Sequence, residues 1–331
     1  MPQTLEAPRA EAPQPGLVFH DFEPTPDSFA DAVIEGLSRR PKAIPCRFLY
    51  DQRGSQLFDA ICRQPEYYPT RTELRILKDH AGEIARLIGP DAELIELGSG
   101  SSLKVRLLLD ALQRPAAYVP IDISRQHLAE AARRVAAAHP DVEVHAICAD
   151  YAADFDLPWL PGIGRRTAFF PGSTIGNFEP AQAEAFLSAW ARRLGSGAGM
   201  LIGVDLRKDA AILDAAYDDA AGVTAAFSLN LLARANRELG ADFDIDGFRH
   251  EARYLADEGR VAIHLRATGA HTVTIEGRSF EFAAGEGLHI EDSWKYTIEG
   301  FQALAVRSGY APVECWTDAD ALFSVHLLRV V

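Results

Sequence analysis

Between residues 71 and 206, short apolar runs alternate with amphipathic segments, a pattern that predicts strands followed by helices. Residues 71–88 have the apolar spacing of a helix, and the apolar run at 94–97 is typical of a buried strand. The predicted elements that follow are helix 102–112, strand 118–123, helix 125–138, strand 142–149, strand 167–174, helix 180–194 and strand 198–206. Such alternation predicts the α/β class, with a mostly parallel sheet and helices on both of its faces.

The alternation stops at residue 207 and resumes at 296. Between them the pattern predicts a long helical piece from Asp209 to Leu239, then strands near 249–255, 260–267 and 271–283. Residues 296–331 again read as a helix, a strand near 313–317 and a final strand. The sequence therefore predicts an α+β insertion between the fifth strand and the last helix of the sheet domain.

The N-terminal part of the chain has a different composition. Its first residues are rich in Pro, Ala and Glu, which predicts a disordered leader over residues 1–20. A helix capped near Thr25 or Asp27 is predicted over 25–40, and two short helices among loops over 41–73. We expect residues 72–206 and 296–331 to form one domain, and residues 21–71 and 207–295 to form a second.

Composition narrows the possible partners of this chain of 331 residues. The formal net charge of −14 argues against nucleic acid and anionic membranes, which are bound by basic surfaces. There is neither a run of 18 apolar residues nor a secretory signal pattern, so we expect a cytoplasmic protein. The four cysteines and ten histidines are scattered without metal-ligand spacing, so no metal is expected. No long apolar stripe is apparent, which favours a monomer.

The stretch DAELIELGSGSSLK (91–104) predicts a strand, a glycine turn and the start of a helix, with a serine as the N-cap. Gly98 and Gly100 allow a ligand to approach the backbone, and Glu96 precedes them by two residues. A dinucleotide fingerprint would need a third glycine where Leu103 stands. An acidic residue before G-x-G favours S-adenosylmethionine (SAM), whose ammonium group a carboxylate can hold. A dinucleotide site and a ligand-free turn remain alternatives.

Other candidate cofactor-binding residues follow the predicted strands. Asp122 ends the second strand, 24 residues after Gly98, where a carboxylate can accept hydrogen bonds from ribose hydroxyls. Asp150 ends the third strand, and Lys104 lies in the first helical turn, where a positive charge is unfavourable. The alternatives are a helix cap for Asp122, a turn residue for Asp150 and a solvated side chain for Lys104.

Five segments together resemble the histidine Nα-methyltransferases of the ergothioneine pathway. They are FLYDQRGSQLFDAICRQPEYYPTRTE (48–73), ELGSGSSLKVRLLLDAL (96–112), FFPGSTIGNFEP (169–180), AAYDDAAGVTAAF (215–227) and EDSWKY (291–296). The resemblance covers roughly residues 25–331. It implies a Rossmann-like class I SAM-dependent methyltransferase domain, formed by 72–206 and 296–331, with an inserted substrate-binding domain. The implied reaction is trimethylation of the α-amino group of L-histidine to hercynine, with SAM as methyl donor.

The resemblance also implies roles for individual residues. Those implied to contact SAM are Gly98, Lys104, Asp122 and Asp150. Tyr50, Asn177 and Tyr217 are implied to hold the α-amino and carboxylate groups of the substrate, with Tyr50 and Asn177 as the catalytic pair. Tyr67, Glu291 and Ser293 are implied to form the imidazole pocket.

Elementary chemistry agrees with these roles. Methyl transfer from a sulfonium requires mainly the positioning of a neutral amine. Tyrosine hydroxyls bind a carboxylate without adding charge, and Asn177, which we expect at a strand end, can face both ligands. Glu291 can accept a hydrogen bond from an imidazole N–H while Ser293 serves the other nitrogen. The two residues are two apart, so on a strand they share one face. Without the resemblance, core tyrosines, a capping Asn and a solvated strand edge explain these residues equally well.

The sequence departs from the family pattern near the substrate ring. Ile263 stands where the family often has methionine, and Asp292 and Trp294 flank Ser293 at variable positions. On a strand, Trp294 is expected to point away from Ser293. A SAM-dependent N-methyltransferase of another small amino acid or amine is therefore the alternative function. A nucleotide-binding dehydrogenase and a non-catalytic SAM-binding protein are further alternatives.

Overall fold

The structure is a computed structural model, and it describes residues 16–22, 28–99, 103–153, 155–158, 160 and 164–331. Most helices lie where the apolar periodicity predicts them. In chain order they are α1 (Phe29–Ser38), α2 (Gln52–Ile61), α3 (Tyr68–Ile88), α4 (Leu103–Ala111), α5 (Arg125–Ala138), α6 (Pro180–Leu194), α7 (Ala210–Tyr217), α8 (Val223–Leu239) and α9 (Ile298–Arg307). Short 3-10 helices occur at Cys46–Leu49, Thr174–Asn177 and Ile245–Gly247.

The strands confirm the α/β class. They are β1 (Leu17–Asp21), β2 (Lys42–Ala43), β3 (Glu93–Leu97), β4 (Ala117–Asp122), β5 (Glu143–Cys148), β6 (Arg166–Phe170), β7 (Gly199–Asp205), β8 (Phe248–Leu255), β9 (Arg260–Ala267), β10 (His271–Ile275), β11 (Arg278–Phe282), β12 (Gly287–Trp294), β13 (Tyr310–Thr317) and β14 (Phe323–Val330).

The chain folds into two units, and the first comprises residues up to Pro24 and Ala85–Ala168. Its strands are parallel in the order β1-β5-β4-β3. All five residues of β3 are buried, as expected for a parallel strand covered on both faces. The carboxyl ends of β3, β4 and β5 therefore meet at one edge of the sheet, where ligands of open α/β sheets bind.

The predicted leader is wrong in its last residues. Leu17–Asp21 form β1, which pairs with β5 from Leu17 opposite Val144 to Asp21 opposite Cys148. The backbone hydrogen bonds that this short apolar run makes with β5 outweigh the disorder-promoting composition around it. Residues 1–15 lie outside the described part of the chain.

The second unit comprises Thr25–Ile84 and Phe169–Val331. It contains the antiparallel strands β7-β14-β13, a four-stranded sheet in the order β2-β12-β9-β8, and the hairpin β10-β11. One apolar core joins α1, α2 and α8 to the inner face of the four-stranded sheet. Leu288 and Ile290 anchor the first half of β12 in this core.

Two predicted elements of the second unit are each divided. The helical piece 209–239 breaks into α7 and α8, because Asp219 accepts hydrogen bonds from the backbone N–H groups of Val223 and Thr224 and begins a new helix. The predicted strand 271–283 is the hairpin β10-β11, which turns at Glu276 and Gly277, both with positive φ. The predicted cap of α1 falls on residues outside the described ranges, and Ser28 caps this helix.

The two units divide the chain at different points from the predicted domains. The second unit includes residues 72–84, 169–206 and 296–331, which are predicted to belong to the SAM-binding domain. The two units are defined by their internal contacts, whereas the predicted domains are defined by the ligand that each would bind. The division into a SAM-binding and a substrate-binding domain therefore stays a prediction.

Candidate active site

In the first unit, three carboxylates lie at or near the carboxyl ends of adjacent parallel strands. Glu96 is the last residue but one of β3, Asp122 ends β4, and Asp150 follows β5 by two residues. Neighbouring strands β3, β4 and β5 bring these residues to the same edge, as the sequence predicts. Three acidic side chains therefore gather at this edge of the sheet.

Glu96 is the most deeply buried of the three, with 3% of its surface exposed. The Tyr118 hydroxyl donates a hydrogen bond to its carboxylate. Burial raises the pKa of Glu96 to about 7, against the opposing effects of the Tyr118 hydrogen bond and the Lys104 charge. A bound cation beside this carboxyl would restore its ionised form, so the site fits a ligand that carries an ammonium or sulfonium group.

Gly98 and Asp122 shape the turn after β3. Gly98 has a φ of +81°, a conformation that favours glycine, and beyond its chain neighbours the nearest described atom to an added Cβ, on the Tyr151 ring, would lie at 3.8 Å. Asp122 accepts hydrogen bonds from the backbone N–H groups of Ser99 at 3.2 Å and Ser124 at 2.8 Å. Burial raises the pKa of its carboxyl above the ordinary value. Asp122 thus caps two loops through their backbone N–H groups. This agrees in part with the helix cap that the sequence offered as an alternative role.

The other predicted cofactor-binding residues are Lys104, Asp150 and Gly100. Lys104 lies in the first turn of α4 and is partly buried. The Asp150 carboxylate accepts a hydrogen bond from the backbone N–H of Ala152 at 2.8 Å, so it stabilises its own turn. Gly100 lies outside the described residues, together with the predicted serine N-cap.

In the second unit, a buried polar network is centred on Asp205, whose surface is 0% exposed. Its carboxylate accepts hydrogen bonds from the Tyr68 hydroxyl at 2.8 and 2.9 Å. It also contacts the Lys208 ammonium at 2.7 Å and the Lys295 ammonium at 2.7 Å. Burial opposes ionisation of Asp205, but the two lysines outweigh it and hold the pKa of its carboxyl below the ordinary value.

This network reaches two predicted substrate residues through Lys295, which is 1% exposed. The Lys295 Nζ lies 2.6 Å from the Tyr217 hydroxyl and 2.8 Å from the Ser293 Oγ. The Tyr217 hydroxyl and Ser293 Oγ are themselves 2.8 Å apart. The structure therefore brings Tyr217 and Ser293 together, although they lie on different elements.

Glu291 and Ser293 share one face of β12, as predicted from their spacing. In the ladder with β9, Glu291 lies opposite Ile263 and Ser293 opposite Val261. Glu291 is partly buried, and burial raises the pKa of its carboxyl to about 7, although the Lys295 charge acts in the opposite direction. Cross-strand pairing also places Ile263, the departure from the family pattern, beside Glu291.

Asp292 and Trp294 occupy the other face of β12. The Arg260 guanidinium forms an ion pair with Asp292 and lies 5.7 Å from the centre of the Trp294 ring. Asp292 also contacts His289 at 3.1 Å. Trp294 therefore points away from Ser293, as the strand alternation predicts.

Asn177 was predicted at the end of a strand, but it ends a 3-10 helix. The predicted strand stops at Phe170 because Gly172 and Ser173 adopt positive φ and turn the chain. Glu73 holds this turn by accepting hydrogen bonds from the Gly172 N–H at 3.0 and 2.9 Å.

Gly176 explains why this 3-10 helix approaches β12 so closely. A Cβ at Gly176 would lie 2.7 Å from the backbone oxygen of Trp294. Only glycine therefore permits this approach, which brings the Asn177 backbone to the end of β12 that carries Ser293.

The tyrosines predicted for the substrate site form an aromatic cluster with Phe58 and Phe227. Tyr50 is 39% exposed and lies edge-on to Phe58 at 5.5 Å and to Phe227 at 5.3 Å between ring centres. Tyr67 is buried, 6.2 Å from Phe58 and 6.2 Å from Tyr217. The cluster thus connects Tyr50 to the Tyr217–Ser293 pair.

Asp51 and Gly54, which belong to the same sequence motif as Tyr50, have structural roles. Asp51 caps α2 by accepting a hydrogen bond from the Gly54 N–H at 2.7 Å, and a second from the Asn230 side chain at 2.8 Å. A Cβ at Gly54 would lie 1.7 Å from the Leu49 oxygen. These contacts hold the turn that carries Tyr50 against α8.

Sequence reasoning missed the residues of the buried network: Tyr68, Asp205, Lys208 and Lys295. The sequence did contain a signal for Lys295. The alternation that places Glu291 and Ser293 on one face of a strand extends to Lys295. The described residues contain no group of three or more His, Cys, Asp or Glu arranged to hold a metal ion. Nor is any helix in the described ranges long and apolar enough to cross a membrane.

An α/β fold with acidic residues at the carboxyl ends of parallel strands is of the class that binds nucleotides and SAM. Within this class, the profile of the family described as "Histidine-specific methyltransferase, SAM-dependent" matches residues 29–330. The chain belongs to this family of histidine-specific, SAM-dependent methyltransferases.

Curated relatives extend over most of the chain. A histidine N-alpha-methyltransferase of Mycolicibacterium smegmatis is 44% identical over 310 residues, which is 91% of this chain and 96% of the relative. One of Mycobacterium tuberculosis is 42% identical over 300 residues, 89% of this chain and 92% of the relative. Ergothioneine biosynthesis protein 1 of Neurospora crassa is 35% identical over 298 residues, 87% of this chain and 33% of that longer protein.

Proposed function

We propose that this protein transfers methyl groups from SAM to the α-amino nitrogen of L-histidine, three times in succession, and so forms hercynine for ergothioneine biosynthesis. The observation that carries the proposal is the polar face of β12, where Glu291 and the Ser293–Tyr217 pair lie side by side. Membership of the histidine-specific family and the names of the curated relatives support the same substrate.

Recognition of the imidazole ring rests on Glu291 and Ser293, together with Tyr67, whose ring packs against that of Tyr217. The Glu291 carboxylate accepts a hydrogen bond from one ring nitrogen, and the Ser293 hydroxyl serves the other. A substrate with an apolar ring would offer no hydrogen bond to the partly buried Glu291 carboxylate or to the buried Ser293 hydroxyl. Such a loss of hydrogen bonds lets a polar site discriminate against apolar analogues. Phenylalanine and leucine are therefore poor substrates in this proposal.

The residues that would hold SAM are Glu96, Gly98, Gly100, Lys104, Asp122 and Asp150. Bound SAM supplies an electrophilic methyl group on a sulfonium centre. Glu96 would offset the positive charge of the ligand, because burial raises the pKa of its carboxyl and a neighbouring cation would favour the ionised form. Asp122 would accept hydrogen bonds from ribose hydroxyls, and Gly98 would let the backbone approach them.

Tyr50, Asn177 and Tyr217 would position the amino acid backbone of the substrate. The amine must be neutral and aligned with the methyl group, and this positioning supplies most of the catalysis. Asn177 and the tyrosine hydroxyls add no net charge near a nitrogen that becomes a quaternary ammonium. The proton that the amine loses before each transfer would pass to solvent through the Tyr50 hydroxyl, which is 39% exposed and would release its own hydrogen as it takes one, or through a water beside it.

The test is the stoichiometry of the reaction with histidine as the only acceptor. We expect three molecules of S-adenosylhomocysteine for each histidine consumed, and hercynine as the final product by mass spectrometry. Glu291→Gln should lower kcat/KM for histidine, while Glu281→Gln on the exposed face of β11 serves as the matched control. Absence of a methylated histidine would refute the proposal.

A further inference from the structure

Two buried lysines share one carboxylate in the second unit. Asp205 contacts the Lys208 ammonium at 2.7 Å and the Lys295 ammonium at 2.7 Å. Among the described residues, Asp205 is the only carboxylate in ion-pair contact with either lysine. Asp318 and Glu291 interact with these lysines from farther away, and Glu291, whose pKa is about 7, is only partly ionised at neutral pH. The lysines therefore carry more positive charge than the carboxylate between them balances.

The hydrogen bonds of Lys295 have a fixed direction, because an ammonium group donates and cannot accept. Its Nζ lies 2.7 Å from Asp205 Oδ2, 2.6 Å from the Tyr217 hydroxyl and 2.8 Å from the Ser293 Oγ. The Tyr217 oxygen therefore accepts from a cation, whichever way the hydrogen bond between Tyr217 and Ser293 runs. A hydroxyl that accepts from a cation is polarised, which makes it a stronger donor of its own hydrogen.

We propose that Lys295 is a positioning residue for the substrate carboxylate, because it orients and polarises the Tyr217 hydroxyl that donates to this carboxylate. The inference rests on the proposed function, and it adds a lysine whose three hydrogens are all taken by protein atoms. A bound carboxylate supplies the negative charge that the two lysines lack. When the Tyr217 hydrogen turns to the carboxylate, the Ser293 hydroxyl can donate to the Tyr217 oxygen, so the contact between them is kept.

The hydroxyl between the lysine and the carboxylate keeps the ammonium of Lys295 off the reacting nitrogen. Methyl transfer converts a neutral amine into a quaternary ammonium, which a cation in direct contact would repel. Asp205 holds Lys295 beside Tyr217, with its Nζ 4.5 Å from the centre of the Tyr217 ring. The positive charge thus acts on the carboxylate through a neutral group, and the product is not repelled by a lysine in contact with it.

Removal of Lys295 leaves Asp205 with two partners. Its carboxylate still contacts the Lys208 ammonium at 2.7 Å and accepts a hydrogen bond from the Tyr68 hydroxyl at 2.8 Å. An unpaired buried charge is the usual cause of severe loss when one partner of a buried ion pair is removed, and Lys295→Met creates none. We therefore expect this variant to fold.

The experiment measures binding of three ligands to the full chain by calorimetry, or by competition with histidine methylation where binding is weak. Histidine has both groups, L-histidinol lacks the carboxylate, and β-(2-thienyl)alanine keeps the carboxylate but has no ring nitrogen. Lys295→Met should weaken histidine and the thienyl analogue alike, by roughly tenfold, and leave histidinol within about twofold. Equal losses for all three ligands would show a merely structural role, and losses confined to histidine and histidinol would show a role toward the ring. Either result would overturn the inference.

Double-mutant cycles show whether Lys295 acts through Tyr217. In a Tyr217→Phe background, Lys295→Met should change histidine affinity by less than about threefold, because the hydroxyl that transmits its effect is absent. In a Ser293→Ala background, the loss of roughly tenfold should persist. A full loss in the Tyr217→Phe background, or none in the Ser293→Ala background, would overturn the inference and leave the proposed function intact.

Lys42→Met is the matched control, because Lys42 is an equally buried lysine of the same unit that pairs with Glu286. It should leave the affinities of all three ligands unchanged. Lys295→Gln removes the charge but keeps hydrogen-bond donors, so it should behave like Lys295→Met and takes its place if that variant does not fold. A wild-type protein that neither binds nor methylates histidine would refute the proposed function and this inference together.

Discussion

Replacement of Glu291 by Gln is expected to stabilise the folded protein at alkaline pH while it weakens histidine binding. Burial raises the pKa of Glu291 from its ordinary value of 4.5 to about 7, although Lys295 acts to lower it. Above pH 7 the native state must therefore hold an unfavourable carboxylate. Gln has nearly the same shape and carries no charge, so it removes this cost.

The magnitude follows from proton linkage. Between pH 4.5 and about 7 the native carboxyl keeps a proton that the unfolded chain has released, so the stability contributed by this group falls as pH rises. At about 1.4 kcal/mol per pH unit, this interval corresponds to an upper limit on the order of 3 kcal/mol. Glu291 is partly exposed, so solvent screening reduces the measured value below that limit.

The assay is urea unfolding of wild type and Glu291→Gln at pH 5, 6, 7 and 8. The free energy of unfolding of the variant should exceed that of the wild type at pH 8, and the difference should shrink toward pH 5. Glu281→Gln, which changes an exposed carboxylate of β11, should show no such trend. A Glu291→Gln protein that is less stable than wild type at pH 8, by an amount independent of pH, would refute the reasoning.

The remaining predictions concern packing around the site. Gly176→Ala should lower kcat/KM for histidine at least tenfold, because the new Cβ would lie 2.7 Å from the Trp294 oxygen and push the 3-10 helix of Asn177 away from β12. Gly82→Ala in α3, where an added Cβ meets no atom of the described residues within 4 Å, should instead raise the free energy of unfolding by about 0.5–1 kcal/mol and leave the kinetics unchanged. Tyr68→Phe should lower the free energy of unfolding by about 1–3 kcal/mol, since it removes a hydrogen bond to the buried Asp205. Unchanged unfolding curves for Tyr68→Phe, or unchanged kinetics for Gly176→Ala, would contradict these expectations.

Much of the fold could be predicted from the sequence because local periodicity determines it. Helices α5 and α6 begin and end at the predicted residues, and most strands of the sheet lie within a few residues of their predicted bounds. The acidic residues Glu96 and Asp122 could be predicted at one edge because carboxyl ends of parallel strands meet there. The resemblance to a known family then supplied their expected roles.

The buried network could not be predicted because its members are far apart in the chain. Tyr68, Asp205 and Lys295 come together only in the folded second unit. In the sequence, none of the three has a neighbouring pattern that distinguishes it from other polar residues. The 3-10 helix that carries Asn177 was also missed, because it depends on the left-handed backbone of Ser173, an uncommon conformation for a side chain of that type. Tertiary contacts, rather than local pattern, determine both features.

The central claim is that histidine is the methyl acceptor and that its ring is recognised by Glu291 and Ser293. It is tested most directly by mass spectrometry of one reaction that contains SAM and an equimolar mixture of the proteinogenic amino acids. The account predicts that histidine alone gains methyl groups, and that it accumulates with three on the α-nitrogen. Methylation of a different amino acid, with histidine unchanged, would contradict it and would place the determinants of specificity near Ile263 instead.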